Sequence, residues 1–335
     1  MKSWQLEKTG RENLHLVEIP EPTPGPSQIL VRTAAVSLNF RDKAIVEGSY
    51  PAPVVFPLVP GSDLAGEVVS IGTDVTRFKA GDKIVSVFQP LWLDGIPTPE
   101  ARTSTLGGTL PGVMAENVLL SEDGALSYPE YLTPAQASTL PIAAVTAWAS
   151  LFEYGHLQPE ETVLVQGSGG VSLFGLQLAR AHGSRVIGTS RSANKIPLLK
   201  QLGASDVIDT AKNPAWEEEA RALTQGKGVN HVLEVVGGEY VQRSLAASAQ
   251  DGHVAVIGFM ESITATINLG SLMSANVRLQ GVGVGSRKHM IDLLNFLEQH
   301  RIKPVIDATY DFMDLPNALD HLDRGPFGKV VVEMR

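Results

Sequence analysis

Hydrophobic and polar positions follow different patterns in the two parts of the chain. In the first third, short runs rich in β-branched residues alternate with proline- and glycine-containing turns, which predicts strands over 13–18, 28–36, 64–71 and 83–87. Residues 90–114 lack periodicity and contain many turn formers, which indicates a long surface loop. This part is therefore predicted to be β-rich, with few helices.

From Thr133 onward, apolar β-like runs alternate with segments of helical periodicity. The pattern predicts helices over 134–139, 143–154, 195–202, 214–223 and 240–247, and strands over 162–165, 185–189, 207–208, 231–236, 253–257 and 278–284. Such an alternation is typical of an α/β fold with a doubly wound parallel sheet, the Rossmann arrangement. An amphipathic helix at 287–300 and short β runs after 302 suggest that the tail packs back on the first part.

The stretch Thr162–Ala179, TVLVQGSGGVSLFGLQLA, joins a predicted strand to a predicted helix through Gly167 and Gly169. Bare backbone N–H groups at a helix N-terminus bind the pyrophosphate of a dinucleotide, and side chains would block that approach. Ser172 stands where the G-x-G-x-x-G pattern has its third glycine, which is a mild departure. The alternative interpretation is a purely structural strand-to-helix turn.

Length and composition narrow the function further. A chain of 335 residues favours two domains, and a net charge of −9 gives no basic surface for nucleic acid. The chain has no cysteine, which excludes disulfides, thiolate-bound zinc and thiol catalysis. Its most apolar run, 140–151, is shorter than a membrane span, so we expect a cytoplasmic protein without membrane contact.

Several ordered motifs carry a family resemblance along essentially the whole chain: Asn39–Asp42, Pro60–Val68, Gly81–Val85, Leu140–Pro141, Thr146–Trp148, the glycine stretch, Leu202–Ala204 and Gly328–Val331. With them the sequence resembles the medium-chain dehydrogenase/reductase superfamily, and within it the zinc-independent quinone oxidoreductase-like branch. The resemblance implies a β-rich GroES-like catalytic domain (1–125, completed by 286–335), a Rossmann domain (126–285) and an active site in the cleft.

The resemblance also shows where this chain departs from zinc-using relatives. The positions that match their zinc ligands hold Asn39, Ser62, Asp63 and Ile142. Zinc sites need several thiolate, imidazole or carboxylate ligands, and only Asp63 qualifies. We therefore expect no metal site.

The end of the second predicted strand of the α/β part indicates the cofactor. NAD-binding proteins place an acidic residue there to accept from the ribose 2′-hydroxyl, whereas this chain has Ser190, Arg191 and, shortly after, Lys195. Arginine can pair with a 2′-phosphate, which favours NADP(H). The alternative is that Arg191 and Lys195 are ordinary exposed residues flanking a helix start.

The glycine turn, the strand end and the resemblance together assign the cofactor contacts. These are Thr146, Gly167, Ser168, Gly169, Gly170, Val171, Ser190, Arg191, Lys195, Val236, Ile257, Phe259, Val282, Val284 and Lys329.

Without zinc, hydrogen-bond donors must stabilise a substrate oxygen that gains negative charge. The side-chain amide of Asn39 is the first candidate, and Tyr50, Asp42 and Ser62 are further catalytic candidates. Tyr50 has the alternative of packing on the domain rim, and Asp42 that of capping a helix or pairing with Arg41. Asp63 is expected to anchor its loop through a buried ion pair, and the eight histidines to be solvated or capping residues.

The sequence thus predicts an NADPH-dependent oxidoreductase that transfers hydride to a small quinone, enone or aldehyde. A zinc-free alcohol dehydrogenase and a non-catalytic NADPH-binding protein remain as alternatives. The edge of the parallel sheet near residues 278–284 needs a partner, which predicts a homodimer.

Overall fold

The computed structural model describes residues 1–334. The chain divides into two compact units. Unit 1 comprises Met1–Val145 together with the chain from Ser286 onward, and unit 2 comprises Thr146–Gly285. These units divide the chain after residues 145 and 285, and the predicted domains divide it after residues 125 and 285.

The strands are β1 (Lys2–Leu6), β2 (Leu14–Glu18), β3 (Gln28–Leu38), β4 (Asp63–Ile71), β5 (Lys83–Ser86), β6 (Asn117–Ser121), β7 (Ala125–Ser127), β8 (Thr162–Gln166), β9 (Arg185–Ser190), β10 (Asp206–Asp209), β11 (Val229–Glu234), β12 (Ser248–Val256), β13 (Arg278–Gly281), β14 (Ile306–Asp311) and β15 (Lys329–Glu333). The α-helices are α1 (Phe40–Glu47), α2 (Pro99–Thr103), α3 (Pro134–Ala137), α4 (Val145–Trp148), α5 (Gly170–His182), α6 (Ile196–Leu202), α7 (Trp216–Leu223), α8 (Tyr240–Ala247), α9 (Leu269–Ala275), α10 (Arg287–His300) and α11 (Leu315–Asp323). None of the helices in residues 1–334 is both long enough and apolar enough to cross a membrane.

Unit 1 is built around a seven-stranded sheet in the order β14-β15-β3-β4-β5-β7, with β6 also paired to β3. The long strand β3 is shared by two partners, because β6 pairs antiparallel with its first half and β15 with its second half. One apolar core joins both chain ends, with Ile29, Leu64 and Ile84 packed together with Phe312 and Val330. The tail thus completes unit 1, as the sequence predicts.

Two features of unit 1 differ from the sequence-based expectation. Helix α1 was missed because its apolar residues form a continuous run, Ala44–Val46, without a helical stripe. The prediction that residues 90–114 form a surface loop is wrong, because this segment contains α2 and buries Trp92, Val113 and Met114. Its turn-forming composition conceals these apolar anchors.

Unit 2 contains a six-stranded, fully parallel sheet in the order β10-β9-β8-β11-β12-β13. The order reverses between β8 and β11, where a doubly wound sheet binds its ligand beyond the carboxyl ends of the strands. The predicted α/β class is confirmed. The predicted helix over 143–154 is instead a short α4 flanked by π-helical turns at Leu140–Ala144 and Ala149–Glu153.

Two histidines of unit 2 do not lie in solvent or cap a helix, contrary to expectation. His231 on β11 and His253 on β12 are buried with their rings 5.8 Å apart. The Nε2 atom of His231 lies 2.9 Å from Glu161 Oε2, so this nitrogen carries the proton and donates. Burial lowers the pKa of His253 to about 4, with a smaller contribution from the neighbouring His231. Both rings are therefore neutral parts of the sheet core at neutral pH.

The packing of α5 explains why Ser172 is tolerated in the glycine motif. The Ser172 hydroxyl donates to the backbone oxygen of Gln166 at 2.6 Å and ties the first turn of the helix to the end of β8. The close approach between helix and sheet occurs at Gly175, where an added Cβ would lie 2.3 Å from Leu233 Cδ1. The packing role of the third glycine is thus performed one turn further along the helix.

This packing predicts that Gly175→Ala destabilises the protein while Gly169→Ala does not. Overpacking a core costs about 1–3 kcal/mol, which outweighs the roughly 1 kcal/mol that alanine gains over glycine in a helix. An added Cβ at Gly169 meets no atom within 4 Å, and its φ of −76° suits any residue. Urea unfolding of both variants tests the contrast.

Leu233→Val removes the Cδ1 atom that the new methyl group would meet, so it should restore most of the stability lost in Gly175→Ala. Equal stabilities of Gly175→Ala and the wild type would show that Leu233 moves aside without cost and would contradict the packing argument.

Candidate functional site

The glycine turn of unit 2 presents open backbone. Gly167 adopts a φ of 71°, in the left-handed region that favours glycine, and Gly169 begins α5 without a side-chain cap. A Cβ at either glycine would meet no atom within 4 Å. Free N–H groups at the start of a 13-residue helix form an anion site, so the turn fits the pyrophosphate of a dinucleotide. Ser168, Gly170 and Val171 lie in the same turn, as the sequence predicts.

A second group of predicted cofactor residues follows β9. The Ser190 hydroxyl accepts from the Ser192 backbone N–H at 3.1 Å and donates to the Ser192 oxygen at 3.0 Å. This local turn carries the exposed Arg191, and Lys195 ends the following 3₁₀ turn. Among residues 1–334, no side chain pairs with the guanidinium of Arg191. The hydroxyl of Ser190 thus shapes the turn, and the exposed Arg191 stays the predicted cofactor contact of this segment.

Sequence reasoning missed an acidic residue beside this turn. Asp209 ends β10 directly opposite Ser190 in the parallel pairing. Its Oδ1 accepts from the Ala211 backbone N–H at 3.2 Å, and Lys212 Nζ lies 3.4 Å from its Oδ2. The lysine offsets part of this negative charge, and Arg191 adds a positive charge on the adjoining turn.

A buried carboxylate also escaped the sequence analysis. Glu234 ends β11 with no exposed surface, and its carboxylate accepts from Gln166 Nε2 at 2.7 Å, from the backbone N–H groups of Val236 and Gly237, and from Ser244. Four donors satisfy the charge without a cation. The network fixes the segment after β11 that contains Val236. A Glu directly before Val235-Val236-Gly237-Gly238 at a strand end was the signal available in the sequence.

The remaining predicted cofactor residues of unit 2 follow strand ends or begin the unit. Ile257 and Phe259 follow β12 and are partly exposed, whereas Val282 and Val284 after β13 are buried. Thr146 is buried, and its hydroxyl has no hydrogen-bond partner among residues 1–334. Buried hydroxyls are usually paired, so Thr146 stays a predicted contact for a ligand.

In unit 1, Asn39, Asp63 and Lys329 form a compact buried cluster. Lys329 Nζ donates to Asn39 Oδ1 at 2.6 Å, and Asn39 Nδ2 donates to Asp63 Oδ2 at 2.9 Å. The lysine ammonium lies 3.8 Å from Asp63 Oδ2. The expected buried ion pair of Asp63 is therefore present, with Lys329 as its partner. The ammonium of Lys329 is engaged within unit 1, and its predicted contact with the cofactor stays a prediction.

Burial sets the electrostatics of this cluster. It raises the pKa of Asp63 to about 7, against the opposing effects of the Lys329 charge and the Asn39 amide. Burial likewise lowers the pKa of Lys329 from its ordinary value, and the charges of Asp63 and Asp42 oppose that change. Burial dominates for both groups, so each charge depends on the other for its stability.

Asp42 and Ser62, two further predicted catalytic residues, belong to a neighbouring hydrogen-bond network. The Asp42 carboxylate accepts from the Asn39 backbone N–H at 2.8 Å and lies 3.7 Å from the Arg41 guanidinium, which is the capping and pairing alternative. Ser62 is fully buried, accepts from Arg41 and donates to the Leu106 backbone oxygen at 3.0 Å. These contacts fix the start of α1 and match the structural alternative for Asp42, while the catalytic roles of both residues stay predictions.

Tyr50 and Asn39 are the catalytic candidates that keep partial exposure. The Tyr50 ring lies beneath the guanidinium of Arg41, with 5.3 Å between the guanidinium carbon and the ring centroid. Trp92 is buried, donates to the Gly95 oxygen at 2.9 Å and packs edge-on against His289. Tyr50 therefore packs on Arg41, and Trp92 anchors its own loop.

Comparison with known proteins agrees with this arrangement. Residues 25–130 match the alcohol dehydrogenase GroES-like domain family, and residues 170–299 match the zinc-binding dehydrogenase family. A zinc-type alcohol dehydrogenase-like protein of Schizosaccharomyces pombe is 39% identical over 95% of this chain and 93% of its own length.

Two further proteins are similar over almost the whole chain. The quinone oxidoreductase of Mus musculus is 29% identical over 94% of this chain and 92% of its own length. The crystal structure of a putative alcohol dehydrogenase from Sinorhizobium meliloti 1021 superposes with a TM-score of 0.95 at 45% identity, covering 99% of this chain and 98% of that one.

The residues present do not fit the zinc ion that these family descriptions mention. The chain has no cysteine, and residues 1–334 contain no group of three histidine, aspartate or glutamate side chains arranged to hold a metal. The Asn39–Asp63–Lys329 cluster offers one carboxylate and a lysine ammonium, which repels a cation. The open glycine turn, in contrast, fits a dinucleotide. The matched domains, the relatives and the glycine turn together place this chain in the medium-chain dehydrogenase/reductase superfamily, as an oxidoreductase that binds a nicotinamide dinucleotide.

Proposed function

We propose that this protein is an NADPH-dependent reductase that transfers hydride to an activated alkene or carbonyl, such as a quinone, an enone or an aldehyde, without a metal ion. The observation that carries the proposal is the Asn39–Asp63–Lys329 cluster, which supplies a hydrogen-bond donor where a metal ligand set would be required. The similarity to both alcohol dehydrogenase-like and quinone oxidoreductase proteins supports the same general chemistry.

The choice of NADPH rests on charge at the end of β9. Arg191 is exposed, and no side chain among residues 1–334 pairs with it. A guanidinium binds a phosphate with two parallel hydrogen bonds, and an unpaired one loses no internal contact when it does so. Asp209 is the one carboxylate at the neighbouring strand end, and Lys212 lies beside it. This arrangement favours a 2′-phosphate over a 2′-hydroxyl.

Arg191→Ala is expected to raise the KM for NADPH about 10-fold or more and to leave the KM for NADH unchanged, because a hydrogen bond to a charged group contributes about 1.5–3 kcal/mol. Steady-state kinetics with both cofactors test this. Arg180→Ala, which removes an exposed arginine from α5, is the matched control. A wild-type preference for NADH would contradict the choice of cofactor.

The chemistry assigned to this chain is the stabilisation of developing charge. The dinucleotide, when bound, supplies the hydride. As a substrate carbon receives it, negative charge develops on the conjugated oxygen, and a donor held in place lowers the energy of that state. Asn39 Nδ2 carries two hydrogens, of which one is bonded to Asp63. The other is available on a partly exposed residue, so Asn39 would donate it to the substrate oxygen.

We favour conjugated acceptors over an alcohol and its carbonyl. Interconverting that pair needs a group that exchanges the hydroxyl proton and stabilises the alkoxide, whereas the delocalised oxyanion formed from a quinone or enone can take its proton from water. Zinc performs both tasks in metal-dependent enzymes. Asn39 can donate a hydrogen bond but cannot accept a proton, and Asp63 is buried behind it. An electron-poor acceptor needs less stabilisation of negative charge from this site.

Stopped-flow mixing of NADPH-loaded protein with quinones, enones and aldehydes should show cofactor oxidation, unaffected by chelators. Asn39→Ala should lower kcat roughly 100-fold, the cost of removing one oxyanion donor. Asn317→Ala, at an exposed asparagine of unit 1, should have no effect. Alcohol-dependent reduction of NADP⁺ without activity on these acceptors would favour the dehydrogenase alternative. NADPH binding without any turnover would favour a non-catalytic binding protein.

We further propose that the protein forms a homodimer through the edge of the parallel sheet. Among residues 1–334, β13 pairs with β12 alone, and its residues are exposed. Leu279 on this strand and Leu269 and Met273 on α9 add exposed apolar surface. An open strand edge with apolar neighbours is suited to pairing with a second copy.

Sedimentation velocity should therefore show a dimer, and Leu279→Asp should shift it to a monomer because a charge would be buried at the paired edge. Met313→Asp, which places the same charge at an exposed site of unit 1, should leave the dimer intact. A wild-type protein that stays monomeric at every concentration would refute this proposal.

A further inference from the structure

Three neighbouring strand ends bring Asn39, Asp63 and Lys329 together. Lys329 begins β15, Asn39 follows the last residue of β3, and Asp63 begins β4. The antiparallel registers pair Val330 with Leu38 and Ser37 with Asp63. The cluster is therefore fixed by the central sheet of unit 1 and does not depend on a flexible loop.

The chemistry of its partners determines how the Asn39 amide is oriented. An ammonium group only donates hydrogen bonds, so the atom that faces Lys329 Nζ at 2.6 Å must be the amide oxygen. An ionised carboxylate only accepts, so the atom that faces Asp63 Oδ2 at 2.9 Å must be the amide nitrogen. In the flipped orientation the amide nitrogen would face the ammonium and the amide oxygen would face the carboxylate. Donors would then face donors, and acceptors would face acceptors. The second Nδ2 hydrogen thus has one fixed direction.

We propose that Lys329 is a positioning residue for the reductase reaction: its ammonium holds and polarises the Asn39 amide, so that Asn39 becomes a stronger and fixed donor to the substrate oxygen. This inference rests on the proposed function. A hydrogen bond to the amide oxygen draws electron density from the nitrogen, and linked hydrogen bonds strengthen one another in surroundings of low dielectric. Lys329 acts through Asn39 because its own exposure is only 4%.

Asp63 balances the positive charge of Lys329. With no exposed surface of its own, it takes one amide hydrogen and lies 3.8 Å from the ammonium. The cluster as a whole is neutral, which lets a cation remain buried in unit 1. The buried ammonium draws electron density from the amide oxygen. The amide group transmits this polarisation to the nitrogen of Asn39, which is a partly exposed residue.

The test compares Lys329→Met with the double variant Asp63→Asn/Lys329→Met. The single variant leaves the Asp63 carboxylate buried without its counter-charge, which destabilises the fold by itself. The double variant removes both charges and keeps an amide beside Asn39. We expect it to fold, to keep the wild-type KM for NADPH and to lose roughly 10- to 100-fold in kcat for the acceptor. Lys83→Met, at an exposed lysine of β5, should match the wild type. A double variant with kcat within about twofold of the wild type would overturn the inference.

Combination with Asn39→Ala separates positioning from a general structural role. If Lys329 acts through Asn39, the double change has no additional effect on kcat once Asn39 is alanine. Losses that multiply in the Asn39→Ala background would show that Lys329 acts independently and would refute its role as a positioning residue.

A measurement with Asp63 and Lys329 unchanged covers the case in which the variants do not fold. In protein labelled with ¹⁵N-asparagine, the side-chain signal of Asn39 is identified by its loss in Asn39→Ala. Its amide protons should exchange with solvent more slowly than those of Asn295, an exposed asparagine of α10. Equal exchange rates would overturn the inference. Failure of the wild type to oxidise NADPH with every acceptor would instead refute the proposed function, and the exchange rates would still report whether the amide is held.

Discussion

The buried pairing of Lys329 with Asp63 is the interaction on which the geometry of unit 1 depends. Removal of one partner from a buried ion pair costs about 3–5 kcal/mol, because the remaining charge is stranded without water. The pair thus penalises any arrangement in which β15, β3 and β4 are out of register. A slip of one residue would turn Lys329 to the opposite face of the sheet. The same charges that constrain the fold also determine which way Asn39 faces.

Unit 2 stabilises its buried carboxylate in a different way. Glu234 has no cation beside it, and backbone and side-chain donors around it satisfy the carboxylate. Because two of these donors belong to the segment after β11, the carboxylate shapes a backbone path next to the glycine turn. Unit 1 therefore positions a side-chain amide with two opposite charges, whereas unit 2 positions backbone with one carboxylate. The two units therefore contain separate buried networks that hold their charges in different ways.

Local patterns predicted the features that depend on local physics. The alternation of strands and helices, the glycine turn and Arg191 were visible because periodicity, backbone freedom and a missing acid are properties of short segments. The role of Lys329 was not visible, since it depends on the pairing of β15 with β3 across almost 300 residues. Helix α1 was missed for a related reason: Asp42 stabilises its start, and tertiary packing replaces an amphipathic stripe. Gly175 lies in the stretch Thr162–Ala179, but only its contact with Leu233 in the structure shows why this residue must be small.

The insertion of β15 between β14 and β3 also determines the order in which the protein can form during synthesis. All six strands of the parallel sheet lie within Thr146–Gly285, so that sheet can complete while the chain is still being extended. The second half of β3 has to wait until β15 emerges from the ribosome, although it was made among the first forty residues. Contacts between such distant segments form slowly and expose a strand edge in the meantime. The dinucleotide-binding unit can therefore fold early, and the donor cluster is one of the last parts of the molecule to assemble.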